Sequence, residues 1–335
     1  MSAPIVEVVG LTKHFALSKG LFARNAAMVK AVDGVDFSIA PGETLCLVGE
    51  SGCGKSTVGK LLLRLLEPTQ GTIFLDGEDI THLDTAEMRP HRKRMQMVFQ
   101  DPYASLNPRM AAGKIVAEPL ENYSDISGSE REQRVAALFA KVGLRADAMK
   151  RYPFEFSGGQ RQRLGIARAL ALEPAIIIAD EPVSALDVSV QAQVLNLMMD
   201  LQEEMGLAYL FVSHDLGVVE HIGHRVAVMY LGRIVEIATK DALFETPLHP
   251  YTQALMAAAP IADPHVKRER IVLQGDVPSP IDPPSGCAFH TRCPFAFDRC
   301  RVEEPMLRPV GAGHNSACHL THAPGAAIEA ARVAA

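Results

Sequence analysis

The sequence predicts an α/β fold with a mixed sheet, and three apolar segments support that prediction. Residues 44–48, 175–179 and 209–213 are short apolar runs of the kind that form fully buried strands. Each run is followed by glycine or polar residues, and helical patterns separate the runs. Open α/β sheets bind ligands at the carboxyl ends of their strands, so the residues after these runs form the candidate site.

Further strands are predicted from alternation and from short apolar runs bounded by turn residues. They cover residues 5–11, 35–39, 72–75, 97–99 and 225–230. We expect the last of them to be the final strand of the chain.

Helices are predicted from apolar periodicity, and the basic run 89–94 is interpreted as a solvated helix face. The helical segments are 58–66, most of 113–150, 161–172 and 188–205. Residues 101–109 are rich in turn-forming residues and are expected to form a surface loop.

Composition limits the classes of protein to consider. A chain of 335 residues is too long for one ordinary core, so two or three domains are expected. The net charge of −6 gives no reason to expect a nucleic-acid partner. The sequence shows neither a long apolar span nor a secretory signal at its N-terminus, so we expect a cytoplasmic protein that reaches a membrane only through a partner.

The segment after the first buried strand has the form G-x-x-x-x-G-K-[S/T] of a phosphate-binding loop and should open a helix. Its glycines let successive N–H groups point at one anion, the lysine adds positive charge for the β- and γ-phosphates, and the first hydroxyl is a Mg²⁺ ligand. The candidate residues are Gly49, Glu50, Ser51, Gly52, Cys53, Gly54, Lys55, Ser56 and Thr57. The sequence therefore predicts a P-loop nucleotide-binding core.

The other two buried strands end in groups suited to phosphate chemistry. Asp180 is placed to hold Mg²⁺, and Glu181 to polarise a water for attack on the γ-phosphate. His214 follows the third strand and would reach the same edge, although alone it would be read as a structural histidine.

A second anion site is predicted at another helix start. Ser157, Gly158, Gly159 and Gln160 precede the helix 161–172, and Ser157 is a candidate N-cap. A hydroxyl, backbone N–H groups and the positive end of a helix dipole would converge there.

After residue 245 the character of the chain changes, since residues 246–335 hold 12 of the 22 prolines and four of the six cysteines. We expect a separate C-terminal module with little core of its own. Cys287, Cys293, Cys300 and Cys318 suit an iron–sulfur cluster, zinc or free thiols, with His290, His314 and His319 as substitute ligands. The absence of a C-x₂-C pair favours the cluster over zinc.

Together these motifs resemble the ATP-binding-cassette (ABC) ATPases over roughly residues 5–245. Residues 156–160 are similar to the family signature, Gln100 to the Q-loop glutamine, and residues 184–187 to the D-loop that ends in Asp187. Phe15 resembles the aromatic residue that stacks on adenine, although a lone phenylalanine would otherwise be assigned to the core.

The resemblance implies a RecA-like mixed sheet with an antiparallel β subdomain, a helical subdomain at about 101–170, and a small irregular extension over 246–335. It implies that two cassettes meet head to tail, with ATP and Mg²⁺ on one phosphate loop capped by Ser157–Gln160 of the other. Glu181 would be the general base, His214 would hold the γ-phosphate and water, and Gln100 would sense Mg²⁺.

A narrower resemblance is to the dipeptide/oligopeptide importer branch, carried by residues 100–109, 249–252 and 277–280. It implies two integral-membrane permeases, a second ATPase subunit, an external solute-binding protein acting indirectly, and a peripheral position at the cytoplasmic face of the membrane. In this branch a similar cysteine array is associated with a [4Fe–4S] cluster. Relatives also move nickel, glutathione or murein peptides, so the solute stays open.

Two alternatives remain from the sequence. A soluble ABC ATPase of DNA repair or translation usually carries two cassettes or a long coiled-coil insertion, and the sequence shows neither. A non-hydrolysing regulatory cassette would be expected to lack Lys55 or Glu181, and both are present.

Overall fold

The computed structural model describes residues 3–17, 27–258, 273 and 275–321. Its strands are β1 (Val6–Ala16), β2 (Met28–Ile39), β3 (Thr44–Val48), β4 (Gln70–Leu75), β5 (Glu78–Asp79), β6 (Met95–Val98), β7 (Ile176–Asp180), β8 (Ala208–Ser213), β9 (Arg225–Tyr230), β10 (Arg233–Thr239), β11 (Arg308–Gly311) and β12 (His314–Ser316). They form two sheets.

The smaller sheet is antiparallel, in the order β2-β1-β4-β5. Val35, Phe37 and Ile39 of β2 are buried while the residues between them are more exposed, as expected for a strand with one face on the core. Asp76 and Gly77 both have positive φ and turn β4 into β5, the geometry of a tight hairpin.

The larger sheet is mixed, in the order β11-β12-β10-β9-β3-β8-β7-β6. Strands β9, β3, β8, β7 and β6 pair in parallel, whereas β10, β12 and β11 are added antiparallel. Cys46 and Val48 of β3 face one core, and Leu45 and Leu47 face the other. This strand is buried on both faces because both sides of the sheet are covered.

The α-helices are α1 (Lys55–Leu62), α2 (Met88–Arg94), α3 (Pro102–Ser105), α4 (Ala112–Tyr123), α5 (Gly128–Lys141), α6 (Gly158–Leu170), α7 (Val188–Met205), α8 (Leu216–Ile222), α9 (Lys240–Glu245), α10 (Pro250–Ala258) and α11 (Asp298–Val302). Ile115, Phe139 and Leu164 bring α4, α5 and α6 into one core. In the described part of the chain, no helix is both long and apolar enough to cross a bilayer.

The predicted α/β class with a mixed and an antiparallel sheet is confirmed, but several boundaries were wrong. The leucine-rich helix ends at Leu62 instead of residue 66, because Arg64 adopts φ 50° and the chain turns there. Leu65 is consequently 55% exposed instead of buried.

Three other differences concern the ends of elements. The predicted surface loop 101–109 contains α3, whose first turn is capped by Asp101. The helix predicted at 161–172 begins at Gly158, so the Ser-Gly-Gly-Gln motif forms its first turn. The strand Arg225–Tyr230 is not the final one, since β10, β11 and β12 follow it.

Candidate functional site

Four candidate segments meet at one edge of the larger sheet. The phosphate loop follows β3, His214 follows β8, Glu181 follows β7, and Gln100 lies two residues beyond β6. These strands are parallel and neighbour one another in the order β3-β8-β7-β6. Their carboxyl ends therefore deliver the four segments to one place, the usual ligand edge of an α/β sheet.

The phosphate loop requires glycine at two positions. Gly49 and Gly54 have φ of 150° and 109°. A Cβ at Gly49 would overlap the carbonyl oxygen of Met229, and one at Gly54 would overlap that of Ala31. The loop is thus wedged between β9 and β2, which fixes its curvature.

Lys55 and Ser56 start α1 and point into the site. The Lys55 Nζ donates to the carbonyl oxygens of Gly49 at 2.7 Å and Glu50 at 3.0 Å, and the side chain is only 5% exposed. The Ser56 Oγ donates to Asp180 Oδ1 at 2.8 Å. A hydroxyl beside a carboxylate is a suitable oxygen pair for Mg²⁺.

Asp180 is a carboxylate held away from water. Burial raises its pKa, the Ser56 hydrogen bond partly offsets that rise, and the neighbouring charge of Glu181 adds to it. A divalent cation would relieve this cost directly, because it supplies the positive charge that the buried carboxylate lacks.

Glu181 is the centre of a three-residue cluster. Its Oε2 accepts a hydrogen bond from Gln100 Nε2 at 2.9 Å and lies 3.2 Å from His214 Nδ1. Its backbone has φ 46°, a conformation that non-glycine residues rarely adopt, and its N–H donates to the Val212 carbonyl oxygen at 3.0 Å. The turn thus aims one carboxylate at the sheet edge, with a polar group on either side.

The Ser157–Gln160 turn is built differently. The Ser157 Oγ accepts from the Gln160 N–H at 3.3 Å, and the Gln160 side chain accepts from the Ser157 N–H at 3.0 Å. This is a capping box, and it confirms Ser157 as the N-cap of α6. Ser157, Gly158 and Gln160 are exposed.

The same turn packs against the start of α7. A Cβ at Gly159 would collide with the Val190 side chain, and one at Gly158 would press on Leu186. Asp187, the N-cap of α7, is exposed beside them. The structure therefore groups Ser157–Gln160 with Asp187, and the hydrogen bonds of this turn do not run to the phosphate loop in the part of the chain described.

Phe15 lies near the end of β1, paired with Val29 of β2 and 37% exposed. Its ring has the Lys13 ammonium 5.2 Å from its centroid. Since Ala31 of β2 touches the loop at Gly54, the ring is presented on the strand pair that borders the phosphate loop. A half-exposed aromatic in this position is suited to stacking.

Sequence reasoning missed two residues that touch the phosphate loop. The Glu50 N–H donates to the Tyr251 hydroxyl at 2.8 Å, and the Glu50 carboxylate pairs with the Arg292 guanidinium through contacts of 2.7 and 3.0 Å. They lie more than 200 positions away in the chain. The only signal was Tyr251 within the 249–252 motif, to which no role had been given.

The four C-terminal cysteines line one small pocket with His290 and His319. Burial raises the pKa of Cys287 to about 11 and that of Cys318 to about 12, and also raises that of Cys293. Over the described ranges, no three His, Cys, Asp or Glu side chains are arranged to hold a metal ion. The thiols converge, but their present arrangement does not support the predicted iron–sulfur cluster or zinc.

Two family models match separate stretches of this chain. A family model described as ABC transporter matches residues 32–184. A second, described as the C-terminal region of oligopeptide/dipeptide transporters, matches residues 235–300.

Curated relatives match over nearly the whole chain. A probable peptide ABC transporter ATP-binding protein of Sinorhizobium fredii is 60% identical, over 98% of this chain and 92% of its own. The oligopeptide transport ATP-binding protein AppF of Bacillus subtilis is 55% identical, over 94% and 97%. The dipeptide transport ATP-binding protein DppF of Escherichia coli is 52% identical, over 95% of each chain.

Solved structures support the fold assignment. The dimeric post-hydrolysis structure of the ATP-binding cassette MJ0796 bound to ADP and Pi superposes with a TM-score of 0.63 at 31% identity, covering 70% of this chain and 98% of that one.

Proposed function

The chain belongs to the ABC transporter family, and from that premise we propose that it is the ATP-hydrolysing subunit of an importer for dipeptides or oligopeptides. The observation that carries the proposal is the sheet edge where the phosphate loop, Asp180, Glu181, Gln100 and His214 meet. The peptide class rests on relatives that match through both the cassette and the C-terminal region.

Hydrolysis follows from the arrangement of groups at this edge. The loop N–H groups and Lys55 hold the β- and γ-phosphates, while Phe15 stacks on the adenine. Glu181 takes a proton from the attacking water, and its contacts with Gln100 and His214 keep the carboxylate in one orientation. Because His214 lies against Glu181 on the exposed side, it is also placed to contact the γ-phosphate and water.

Mg²⁺ fits the same edge because Ser56 and Asp180 present adjacent oxygens and Asp180 is a desolvated carboxylate. Gln100 is the third residue of this proposed set. The cation neutralises phosphate charge when bound. The protein's own contribution is to keep the two oxygens together before nucleotide arrives.

The cassette acts in a head-to-tail dimer, with Ser157–Gln160 of one copy facing the γ-phosphate held by the other. Ser157 and Gln160 are exposed and make their hydrogen bonds within their own turn, so this helix start is accessible to a partner. Asp187 lies beside them and belongs to the same contact surface. The neighbouring structure of MJ0796 is dimeric, which supports assembly as a dimer.

The domain organisation that fits this function is an ATPase domain over residues 1–245 with its helical part at about 101–170, and an extension over 246–335. The partners are two integral-membrane permeases and a second ATPase subunit, identical or homologous. A solute-binding protein on the far side acts indirectly. The chain works peripherally, at the cytoplasmic face of the plasma membrane.

The test of this function is reconstitution with its two candidate permeases. In proteoliposomes, ATP hydrolysis should rise when peptide-loaded binding protein is added to the opposite face. The alternative is a soluble ABC ATPase uncoupled from transport. Recovery of the chain with ribosomes or DNA, and no stimulation by permeases and peptide, would establish that alternative.

A second proposal concerns the cysteine pocket. Cys287, Cys293, Cys300 and Cys318 suit a [4Fe–4S] cluster in donor chemistry, and zinc is the other candidate. The observation that supports the proposal is that the four cysteines line one pocket. Protein purified without oxygen should be brown and contain iron and sulfide. A colourless sample with stoichiometric zinc would replace the cluster, and a metal-free sample would remove both.

A further inference from the structure

The C-terminal segment contacts the phosphate loop through an ion pair and a hydrogen bond. The Arg292 guanidinium meets the Glu50 carboxylate with both nitrogens, at 2.7 and 3.0 Å. The Tyr251 hydroxyl accepts the Glu50 N–H at 2.8 Å. Glu50 is the second residue of the loop, so both contacts act where β3 gives way to the phosphate-binding turn.

The ion pair is largely shielded from solvent. The side chain of Arg292 is 7% exposed and that of Glu50 28%. Arg292 also lies 6.0 Å from the centroid of the Tyr230 ring. A bidentate guanidinium–carboxylate pair in such surroundings holds a fixed geometry, and removing one partner leaves the other charge poorly compensated.

The tyrosine is anchored independently of the arginine. Tyr251 is fully buried, with its ring 4.7 Å from that of Tyr230 and 5.4 Å from that of Phe289. This aromatic cluster joins β9, α10 and the cysteine-bearing segment into the main core. The hydroxyl that accepts the Glu50 N–H is therefore held on a rigid support.

The charge of Glu50 makes this arrangement matter for nucleotide binding. The loop must attract triphosphate, yet it carries a carboxylate at its second position. Arg292 neutralises that carboxylate, while the Lys55 ammonium bonds to the main-chain carbonyl oxygens of Gly49 and Glu50. Without Arg292 the unpaired carboxylate would repel the phosphates.

We infer that Arg292 and Tyr251 are positioning residues for ATP binding: the C-terminal segment neutralises Glu50 and pins the start of the phosphate loop. This deepens the proposed function and rests on it. The C-terminal segment thereby becomes part of the nucleotide site's support, in addition to any role of its own.

The experiment compares Arg292→Gln with Arg299→Gln. Arg299 makes a bidentate pair with Glu303 in the same segment, but both side chains are about half exposed. Binding of a fluorescent ATP analogue is measured in EDTA, on full-length protein whose melting temperature has been recorded. We expect Arg292→Gln to weaken ATP binding roughly tenfold through charge repulsion, and Arg299→Gln to leave it unchanged.

A purely structural role of Arg292 is separated by ligand charge and by rescue. The Arg292→Gln defect should be large for ATP and under about twofold for adenosine, since only phosphates feel the freed carboxylate. Adding Glu50→Gln to Arg292→Gln should restore most of the affinity for ATP. Equal losses for ATP and adenosine, or no rescue, would overturn the inference.

Tyr251→Phe provides a second variant that keeps the buried ring. It leaves the Glu50 N–H without its acceptor, and we expect about threefold weaker ATP binding. Wild-type protein that failed to bind ATP would refute the proposed function itself. Wild-type binding with Arg292→Gln and Tyr251→Phe both indistinguishable from it would refute only this inference.

Discussion

The two helix starts proposed to contact phosphate, at α1 and at α6, are built in opposite ways. Helix α1 begins after Gly54, which has no side chain to cap the first turn, and the loop before it is fixed by Met229, Ala31 and Tyr251. Helix α6 begins after Ser157, whose hydroxyl caps its own first turn. One start depends on its surroundings for its shape, while the other is held locally.

The difference follows from what each start must do. The N–H groups at the beginning of α1 are left to a ligand, so surrounding segments of the same chain must hold the turn open. At α6 the capping box keeps the turn formed while it stands exposed. A self-supporting turn is what a site needs if it is completed only when a second copy arrives. In the proposed shared pocket, the start of α1 would be the supported half and the start of α6 the autonomous half.

The largest effect that tests the supported half is expected from Glu181→Gln. The substitution keeps the shape of the side chain and its contacts with Gln100 and His214 but removes the base, so kcat should fall by roughly a thousandfold. ATP binding should persist, and ATP should hold the protein as a dimer. The rate of hydrolysis is measured as phosphate release in single-turnover experiments. The size of the ATP-bound protein is measured by light scattering.

The control for this prediction is Glu203→Gln, the same change at an exposed position on α7. It should hydrolyse ATP like the wild type. Undiminished turnover in Glu181→Gln would mean that Glu181 is not the base, and the sheet-edge cluster would need another chemical interpretation.

Whether the pocket is divided between two copies can be tested by placing two substitutions in linked tandem copies. With Lys55→Ala in one copy and Ser157→Glu in the other, a shared pocket leaves one complete site and about half the activity. With both substitutions in the same copy, each shared site is damaged and activity should vanish. Steady-state hydrolysis by the two tandems is the measurement.

The opposite ranking of these tandems would contradict the comparison. If each copy enclosed its own nucleotide, the tandem with both substitutions in one copy would retain the active site of the other. The unsubstituted tandem sets the full rate, and a tandem with Lys55→Ala in both copies sets the background.

The autonomous half was easier to predict from sequence than the supported half. Ser157 and Gln160 lie three residues apart, and such a local pattern is enough to indicate an N-cap. The bounds of α7 were likewise predicted from apolar periodicity alone. The strands that deliver Asp180, Glu181 and His214 are short apolar runs, so the sheet edge was also predictable.

What sequence could not provide were long-range contacts and weak local signals. Arg292 pairs with Glu50 across 242 positions, and no periodicity encodes that distance. Strands β11 and β12 are four and three residues long with no clear alternation, so they were missed. The leucines after residue 62 continue the apolar pattern and so predict a longer helix. The left-handed turn at Arg64, which ends the helix early, has no signature in the sequence.

Asp180→Asn tests whether the buried charge of Asp180, beside the phosphate loop, destabilises the free protein. Because burial raises the pKa of Asp180, the native state loses stability as pH rises through and above its ordinary value of 3.8. Asparagine keeps an oxygen for the Ser56 hydroxyl but carries no charge. The variant should therefore melt a few degrees higher than wild type near pH 7 without Mg²⁺, and the gap should narrow as pH falls.

Calorimetry between pH 4.5 and 7.5 checks this sign, and Mg²⁺-dependent hydrolysis should be lost in the same variant. A melting temperature below that of the wild type at neutral pH would show that the charge of Asp180 stabilises the free protein. The buried charge of Asp180 would then not be what destabilises the empty phosphate site.

The smallest expected effect concerns the autonomous half and isolates its local support. Ser157→Ala removes the hydroxyl that caps α6 and should lower the free energy of unfolding by about 1 kcal/mol. Ser157→Thr keeps a capping oxygen and should lose much less. Urea denaturation of the free monomer measures both.

Because the capping bonds lie within the turn, the loss of stability in Ser157→Ala should be the same with and without nucleotide on the phosphate loop. A loss that grew when nucleotide was bound to the monomer would mean that Ser157 contacts the nucleotide of its own chain, and the two helix starts would then belong to one pocket.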